Sequence, residues 1–254
     1  MATVKDILKF VQDLAPLSYK MEWDNVGLNC GHLDQPVRKI LVALDPFDHV
    51  CREAKDFGAD LLLTHHALLW DPGFITDANM QGKNALFLIE NKIAHINAHT
   101  NLDCAPGGVN DTLAKVLGLS DIQVVPDTEN LLRCGTVPSQ DLSAFLSCVK
   151  DSLGCEGLRY VDSGKKVSKV AVGGGSCAGA MQEAIKAGCD TFVTADIKYN
   201  QFHDAHDLGI NLVDAGHFHT ENPICAVLAS KIQAAFPEID VKLSVTHFDP
   251  MKFF

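Results

Sequence analysis

The feature that most constrains this chain is a repeat written into its own sequence. Lys39-Ile-Leu-Val-Ala-Leu-Asp45 reads as a buried strand, Pro46 opens a helix through Phe57, Gly58 stops it, and Asp60-Leu-Leu-Leu-Thr64 reads as a second strand. The same grammar returns at Lys169-Val-Ala-Val172, a glycine turn, a helix through Ala187, Gly188 as its stop, and Asp190-Thr-Phe-Val-Thr194. Lys39 matches Lys169, Glu53 Glu183, Gly58 Gly188, Asp60 Asp190 and Thr64 Thr194, all at one offset of 130. Shared element order and shared turn residues at a single offset point to duplication. Ile93 to His99 and Ile210 to Gly216 are a further matched pair, each a strand running into polar residues.

Strands alternating with helices predict an α/β fold: internally duplicated βαβ units forming mixed, largely parallel sheets with flanking helices. Val4, Ile7, Leu8, Val11 and Leu14 add an amphipathic N-terminal helix that stops at Pro16. The expected organisation is one compact unit, 1-254, of two pseudo-symmetric halves (approximately 1-120 and 165-254). An α+β connecting layer at 120-165 carries a strand-like run at Leu131 to Val137 and a helix at Leu142 to Leu153.

Composition narrows the function classes. A chain of 254 residues that is 47% hydrophobic and 21% charged can bury a sizeable core. Its net charge of −11 works against nucleic-acid binding, which needs a basic face to replace phosphate counterions. No apolar run is long enough to span a bilayer, and charges interrupt MATVKDILKFVQDLAP where a signal peptide needs its apolar stretch. The expectation is a cytoplasmic protein without membrane contact. Nine cysteines, odd in number and never in C-x-x-C spacing, argue against a disulfide framework and a thiolate zinc ribbon.

Parallel sheets collect ligands beyond the carboxyl ends of their strands, so chemistry is expected there. One strand ends in Thr64-His65-His66, another in Asn97-Ala-His99-Thr-Asn-Leu-Asp103, a third in Asp214-Ala-Gly-His217-Phe-His219-Thr-Glu221. Imidazole and carboxylate are ordinary ligands for divalent ions. His217 and Glu221, four apart, share a helix face, whereas His219 points away from it. Each motif also has a plain structural reading: loop histidines, or Thr220 as a helix cap with Glu221 favouring the positive N-terminus. Convergence favours a metal centre, because three imidazoles and two carboxylates fall at three strand ends of one expected edge. Five ligands exceed one tetrahedral ion, which suggests two ions bridged by a carboxylate. The mixed nitrogen and oxygen set suits zinc, iron or manganese alike. His99 is placed to ligate, to orient a ligand or to carry a proton.

Gly173-Gly-Gly-Ser-Cys177 lies where amides can hold phosphate or a helix can activate a thiol. It lacks a Walker lysine, and it reads as a tight β-α turn. Trp23, Asp24 and Asn25 are candidate pocket residues, with Trp23 as a core cover the plain alternative. Asp196, Lys198 and Tyr199 are a second candidate set, Asp196 falling where His66 falls in the first repeat; a surface salt bridge is their plain reading.

Taken together, Trp23-Asp-Asn-Val-Gly-Leu28, Thr64-His-His66, Asn97 to Asp103, Thr194-Ala-Asp-Ile-Lys-Tyr199 and Asp214 to Glu221 resemble the signature blocks of the NIF-three-like family, the GTP cyclohydrolase 1 type 2 homologs. The resemblance spans nearly the whole chain. It implies a duplicated α/β fold, a hexameric ring built from dimers, and a dinuclear metal centre with His65, His66, Asp103, His217 and Glu221 as ligands, Glu221 as bridge. It corresponds to the short form, without a domain inserted between the halves. Two positions depart from the usual block: Ala195 stands where glycine often precedes Asp196, and Asn200 where histidine often follows Tyr199.

The function so implied is a dinuclear-metal-dependent hydrolase of a nucleotide-like substrate. For GTP, metal-activated water attacks the ring carbon between the imidazole nitrogens and formate leaves; His99 is the candidate proton shuttle. Two alternatives stand beside it. One is a phosphoesterase on small nucleotides, the other a non-catalytic metal-binding or partner-binding ring module.

Overall fold

Thr3 caps the first helix, α1 (Val4–Leu14), reciprocally: its hydroxyl accepts the Asp6 N–H while the Asp6 carboxylate accepts the Thr3 N–H at 2.8 Å. Val4, Ile7 and Val11 form its buried face. The computed structural model describes residues 1–71 and 73–254. After α1 come β1 (Gly27–Cys30), β2 (Lys39–Ala43), α2 (Asp48–Phe57), β3 (Leu61–Thr64), α3 (Met80–Glu90), β4 (Ala94–Asn97) and α4 (Thr100–Cys104). Next are α5 (Val109–Val116), β5 (Ser120–Val124), β6 (Arg133–Gln140), α6 (Leu142–Leu153), β7 (Arg159–Val161) and β8 (Val167–Val172). The order closes with α7 (Met181–Lys186), β9 (Thr191–Thr194), α8 (Tyr199–Leu208), β10 (Asn211–Asp214), α9 (His217–Glu221), α10 (Pro223–Ala235) and β11 (Asp240–Leu243).

These elements form two units, Met1–Ala105 with Cys225–Phe248, and Pro106–Ile224 with Asp249–Phe254. The first unit holds a sheet of order β1-β4-β3-β2-β11, parallel from β4 to β11 with β1 antiparallel at its edge. The second holds a sheet of order β5-β6-β8-β9-β10-β7, in which β8, β9 and β10 are parallel and β5, β6 and β7 antiparallel. Leu61 to Thr64 and Thr191 to Thr194 are buried throughout, as strands covered on both faces require. Segment 120–165 supplies β5, β6 and β7 to the second sheet; α6 packs Leu142, Phe145 and Val149 on Val167, Val170 and Val172.

The repeat persists down to single hydrogen bonds. Asp60 accepts the Arg38 and Lys39 N–H groups at 2.7 and 3.1 Å, and Asp190 those of Ser168 and Lys169 at 3.0 and 2.9 Å. Lys39 Nζ donates to the Phe57 carbonyl, Lys169 Nζ to that of Ala187. Gly58 and Gly188 both end their helices at positive φ, 72° and 79°. One start differs from expectation: α2 begins at Asp48, because the Pro46 carbonyl is taken by Asn84 Nδ2 at 3.0 Å and Cys51 Sγ at 3.4 Å. The cysteines other than Cys30 and Cys148 are buried, and burial pushes the Cys51 and Cys189 thiols up to about 12.

Parallel pairing sets the strand ends level. Ala43 lies opposite Thr64 and Thr64 opposite Asn97 in the first sheet; Thr194 lies opposite Asp214 in the second. The segment after β11 is gripped by one buried carboxylate of α2, Glu53. It accepts from Ser244 Oγ at 2.5 Å, the Val245 and Thr246 N–H groups at 3.0 and 3.1 Å, and Thr246 Oγ1 at 2.8 Å. Burial raises the Glu53 carboxyl, but these bonds outweigh it and hold the group at about 2, against its ordinary 4.5. A depressed carboxyl stabilises the fold fully above its unfolded value and loses that contribution as pH falls through the folded one. Glu53→Gln should therefore cost about 2 kcal/mol near neutrality. In urea unfolding of both proteins, the difference should fade as pH is lowered from 4.5 towards 2; a pH-independent gap would rule out this origin.

Candidate functional site

At the end of β3, His65 is fully buried and its Nδ1 lies 2.8 Å from the Ala98 carbonyl. A carbonyl only accepts, so Nδ1 carries the proton and Nε2 presents its lone pair, 3.5 Å from Asp103 Oδ1. His66 repeats the arrangement with Nδ1 2.6 Å from Asp45 Oδ1. Burial raises the Asp45 carboxyl, but hydrogen bonds from His247 and His66 outweigh it and hold the group well below the ordinary carboxylate range. The turn between the two histidines is fixed from beneath. Thr64 Oγ1 donates to the His66 carbonyl at 2.6 Å and meets Nε2 of His95 at 2.8 Å, so His95 donates that proton. Burial pushes His95 down to about 3 and keeps it neutral.

At the end of β4, His99 caps α4, whose short turn carries the buried Asp103. Its Nδ1 lies 2.9 Å from Asp24 Oδ2, which also accepts the Thr100 N–H at 3.0 Å and the Thr100 hydroxyl at 2.5 Å. Burial raises Asp24; the bonds from His99 and Thr100 outweigh it and hold it at about 2. Ring nitrogens of His65, His66 and His99 lie within 4.8 Å of one another, a group that can hold a metal ion.

In the second unit the polar ends belong to β9 and β10. His217, opening α9, sets Nδ1 2.7 Å from Asp196 Oδ2 and Nε2 3.0 Å from Glu221 Oε2, one turn on. Asp196 follows β9 with φ of 51°, a left-handed conformation costly for a residue with a Cβ. The glycine turn after β8 makes room for the carboxylate. Gly175 has φ of 61°, and a Cβ there would stand 2.2 Å from Glu221 Oε1 and 3.1 Å from His217 Cε1. Its role is to admit Glu221 closely. His219 faces elsewhere, with Nδ1 3.2 Å from the Leu153 carbonyl and Nε2 3.4 Å from Asp249.

The donor chemistry fits divalent metal. His65, His66 and His99 each set Nδ1 against an oxygen that can only accept, which turns the Nε2 lone pair towards a metal, while His217 lies between two carboxylates, Asp196 at Nδ1 and Glu221 at Nε2. Carboxylates of Asp103 and Glu221 stand beside two of those Nε2 atoms. Other residues singled out from sequence are dispersed in role. Asp24 braces His99, and Asn25 Nδ2 donates to the Leu69 carbonyl at 2.6 Å. Trp23 is exposed rather than a core cover. Lys198 and Tyr199 are exposed at the start of α8, Tyr199 against His203 of its own helix.

Sequence reasoning missed Asp45, His95, Trp70 and His247, and it read the turn that holds Gly175 without its closeness to Glu221. Asp45 stands at a strand end and was open to the same rule that found His65; His247, meeting Asp45 at 3.3 Å from the far end of the chain, left no local signal.

The comparisons with known proteins agree with this architecture. Residues 2–251 match the family described as Duf34/NIF3 (NGG1p interacting factor 3), and the chain belongs to that family. Curated relatives called GTP cyclohydrolase 1 type 2 homolog include one from Clostridium perfringens, 34% identical over 98% of this chain and 99% of its own length. Another, from Clostridium acetobutylicum, is 33% identical over 98% of each. Among solved structures, a Bacillus cereus protein related to NIF3 superposes with TM-score 0.93 at 25% identity, covering 100% of this chain and 99% of its own. A Staphylococcus aureus hypothetical protein gives 0.92 at 28% identity, covering 99% of both.

Two substitutions probe the bracing carboxylates. Asp45→Asn and Asp196→Asn preserve shape, and asparagine tolerates the left-handed backbone at 196. Each should weaken zinc binding roughly 10–100-fold in competition with a chromophoric chelator, and the exposed Asp196→Asn should leave the thermal midpoint nearly unmoved; unchanged affinity would remove their orienting role. Gly175→Ala should displace Glu221 and destabilise the fold by about 1–3 kcal/mol in chemical denaturation.

Proposed function

We propose that this protein is a metal-dependent hydrolase of nucleotide-like substrates, with His65, His66, Asp103, His217 and Glu221 holding two divalent ions per chain. The observation that carries the reading is shared bracing: in all three of these histidines Nδ1 lies against an oxygen that can only accept, and the carboxylates of Asp103 and Glu221 stand 3.5 and 3.0 Å from Nε2 of His65 and His217. When bound, such ions supply Lewis acidity and lower the pKa of water enough for attack at neutral pH. His99 serves as proton carrier. Asp24, ionised across the neutral range, fixes its Nδ1–H and stabilises the imidazolium formed when Nε2 takes a proton. The relatives called GTP cyclohydrolase 1 type 2 homolog support a nucleotide ring as the bond class; for GTP, attack by water at the ring carbon between the imidazole nitrogens would release that carbon as formate. The resemblance further supports a duplicated fold of two pseudo-symmetric halves and assembly as a homohexameric ring. Among the described residues no helix is long and apolar enough to cross a membrane.

Elemental analysis of protein purified without added metal tests the reading. Two ions per chain are expected, lost in His65→Ala and Glu221→Ala, with formate release from GTP abolished by chelation and restored by metal. His99→Ala should keep its metal and lose roughly 10²–10⁴-fold in kcat. Light scattering should give about six times the chain mass of 27.5 kDa. Metal without turnover on any nucleotide, triphosphates and phosphodiesters included, would overturn the hydrolase in favour of a metal-binding module.

A further inference from the structure

The chain has two tryptophans, and neither is buried in the core: Trp23 is 66% exposed and Trp70 38%. Their ring centroids are 6.4 Å apart and their planes differ by 31°. A flat ring held between two indoles needs faces about 7 Å apart, so this tilted pair would have to open and align its faces to admit one. The two indoles sit on separate loops, one before β1 and one after β3, and a frame holds those loops together. Asn25 Nδ2 donates to the Leu69 carbonyl at 2.6 Å, and Asn29 Oδ1 accepts the Leu68 and Leu69 N–H groups at 2.9 and 3.4 Å. Lys20 Nζ donates to the Asp24 carbonyl at 3.1 Å on the other side of Trp23. The spacing of the indoles is thus set by backbone anchors next to each tryptophan.

Beside the pair lie the imidazoles already described. Trp70 meets His99 edge-on at 4.9 Å and His66 at 6.3 Å, and Trp23 meets His99 at 6.0 Å. An aromatic surface of this kind costs solubility when left to water, and it is continuous with the histidine cluster. We infer that Trp23 and Trp70 form an indole clamp that takes the planar heteroaromatic ring of a nucleobase-like ligand and sets it beside His99 and His66. This rests on the hydrolase reading for its consequence, though not for its geometry. The indole face stacks on a heterocycle of any hydrogen-bonding pattern, so the clamp selects flat rings over sugar and phosphate. Edge recognition of one base against another falls to other residues.

Tryptophan fluorescence, excited at the red edge where tyrosine does not absorb, is a direct test, because the two tryptophans of the chain are these residues. GMP should quench it saturably and ribose 5-phosphate should not, with and without chelator. Trp23→Ala and Trp70→Ala should each weaken GMP binding about tenfold by calorimetry, while Trp70→Phe stays within about threefold of the parent. Both side chains are exposed, so unchanged thermal melts will certify the fold of these variants. Equal quenching by ribose 5-phosphate, no saturable quenching, or unaltered GMP affinity in both alanine variants would overturn the clamp. So would a blue shift with protein concentration in the absence of nucleotide, which would assign the indoles to a second copy of the chain. Quenching that persists in chelated protein, alongside no turnover of any nucleotide, would keep the clamp and discard the hydrolase. Turnover whose KM ignores both alanine substitutions would do the reverse.

Discussion

A proton fixed on Nδ1 is the constraint on which the polar chemistry of this protein depends. Neutral imidazole has one N–H and one lone pair, and only a partner decides which nitrogen has which. The Ala98 carbonyl, Asp45 and Asp24 make that choice for His65, His66 and His99. None of these acceptors can donate in its ionised or carbonyl form, so for the buried His65 and the half-buried His66 the opposite tautomer would set oxygen lone pairs against a nitrogen lone pair, whereas His217 meets a carboxylate at each nitrogen. The strand ends reach this arrangement because parallel pairing brings Ala43, Thr64 and Asn97 level, and the polar residues that follow them leave the sheet together.

Both sheets come from one repeated frame whose ends have diverged. The frame residues are unchanged in role: Asp60 and Asp190 staple the strand before them, and Gly58 and Gly188 turn the chain out of a helix. Beyond the strands the same offset pairs His66 with Asp196, and Asp45 with Gly175. In the first unit the strand-end residue is an imidazole braced by a carboxylate; in the second it is a carboxylate that braces an imidazole. Gly175 is required where Asp45 stands in the first repeat, because Glu221 already occupies the space a side chain would take. Duplication supplied the scaffold, and local space decided which polar group each copy could carry.

Long-range pieces complete the first unit. Glu53 gathers four donors from residues 244 to 246, and the next residue, His247, reaches the second oxygen of Asp45. One end of the chain therefore steadies the carboxylate that orients His66. Hydrogen bonds to an ionised, buried oxygen are strong enough to order a segment that has little apolar surface of its own to bury.

Much of this was legible in the sequence, and the division has a physical origin. Periodicity, glycine stops and apolar runs are local, so the βαβ repeat, α1 and α6 could be read from neighbours alone. Helix α3 could not, because its buried face mixes Gly82 and Asn84 with Ala85 and Leu88 and carries little apolar signal. The candidate donors were visible because parallel strands end at one edge, and His65, His66, His99, Asp103, His217 and Glu221 stand just past such ends. What only the tertiary structure decided is orientation. Asp45 and the Ala98 carbonyl select Nε2 of His66 and His65, Asp196 orients the His217 ring, and Asn25 and Asn29 hold Trp23 near Trp70. Sequence fixes which groups a strand end carries through interactions a few residues long; which atom of each group faces outward is set by partners tens or hundreds of residues away, brought close only when the sheet forms.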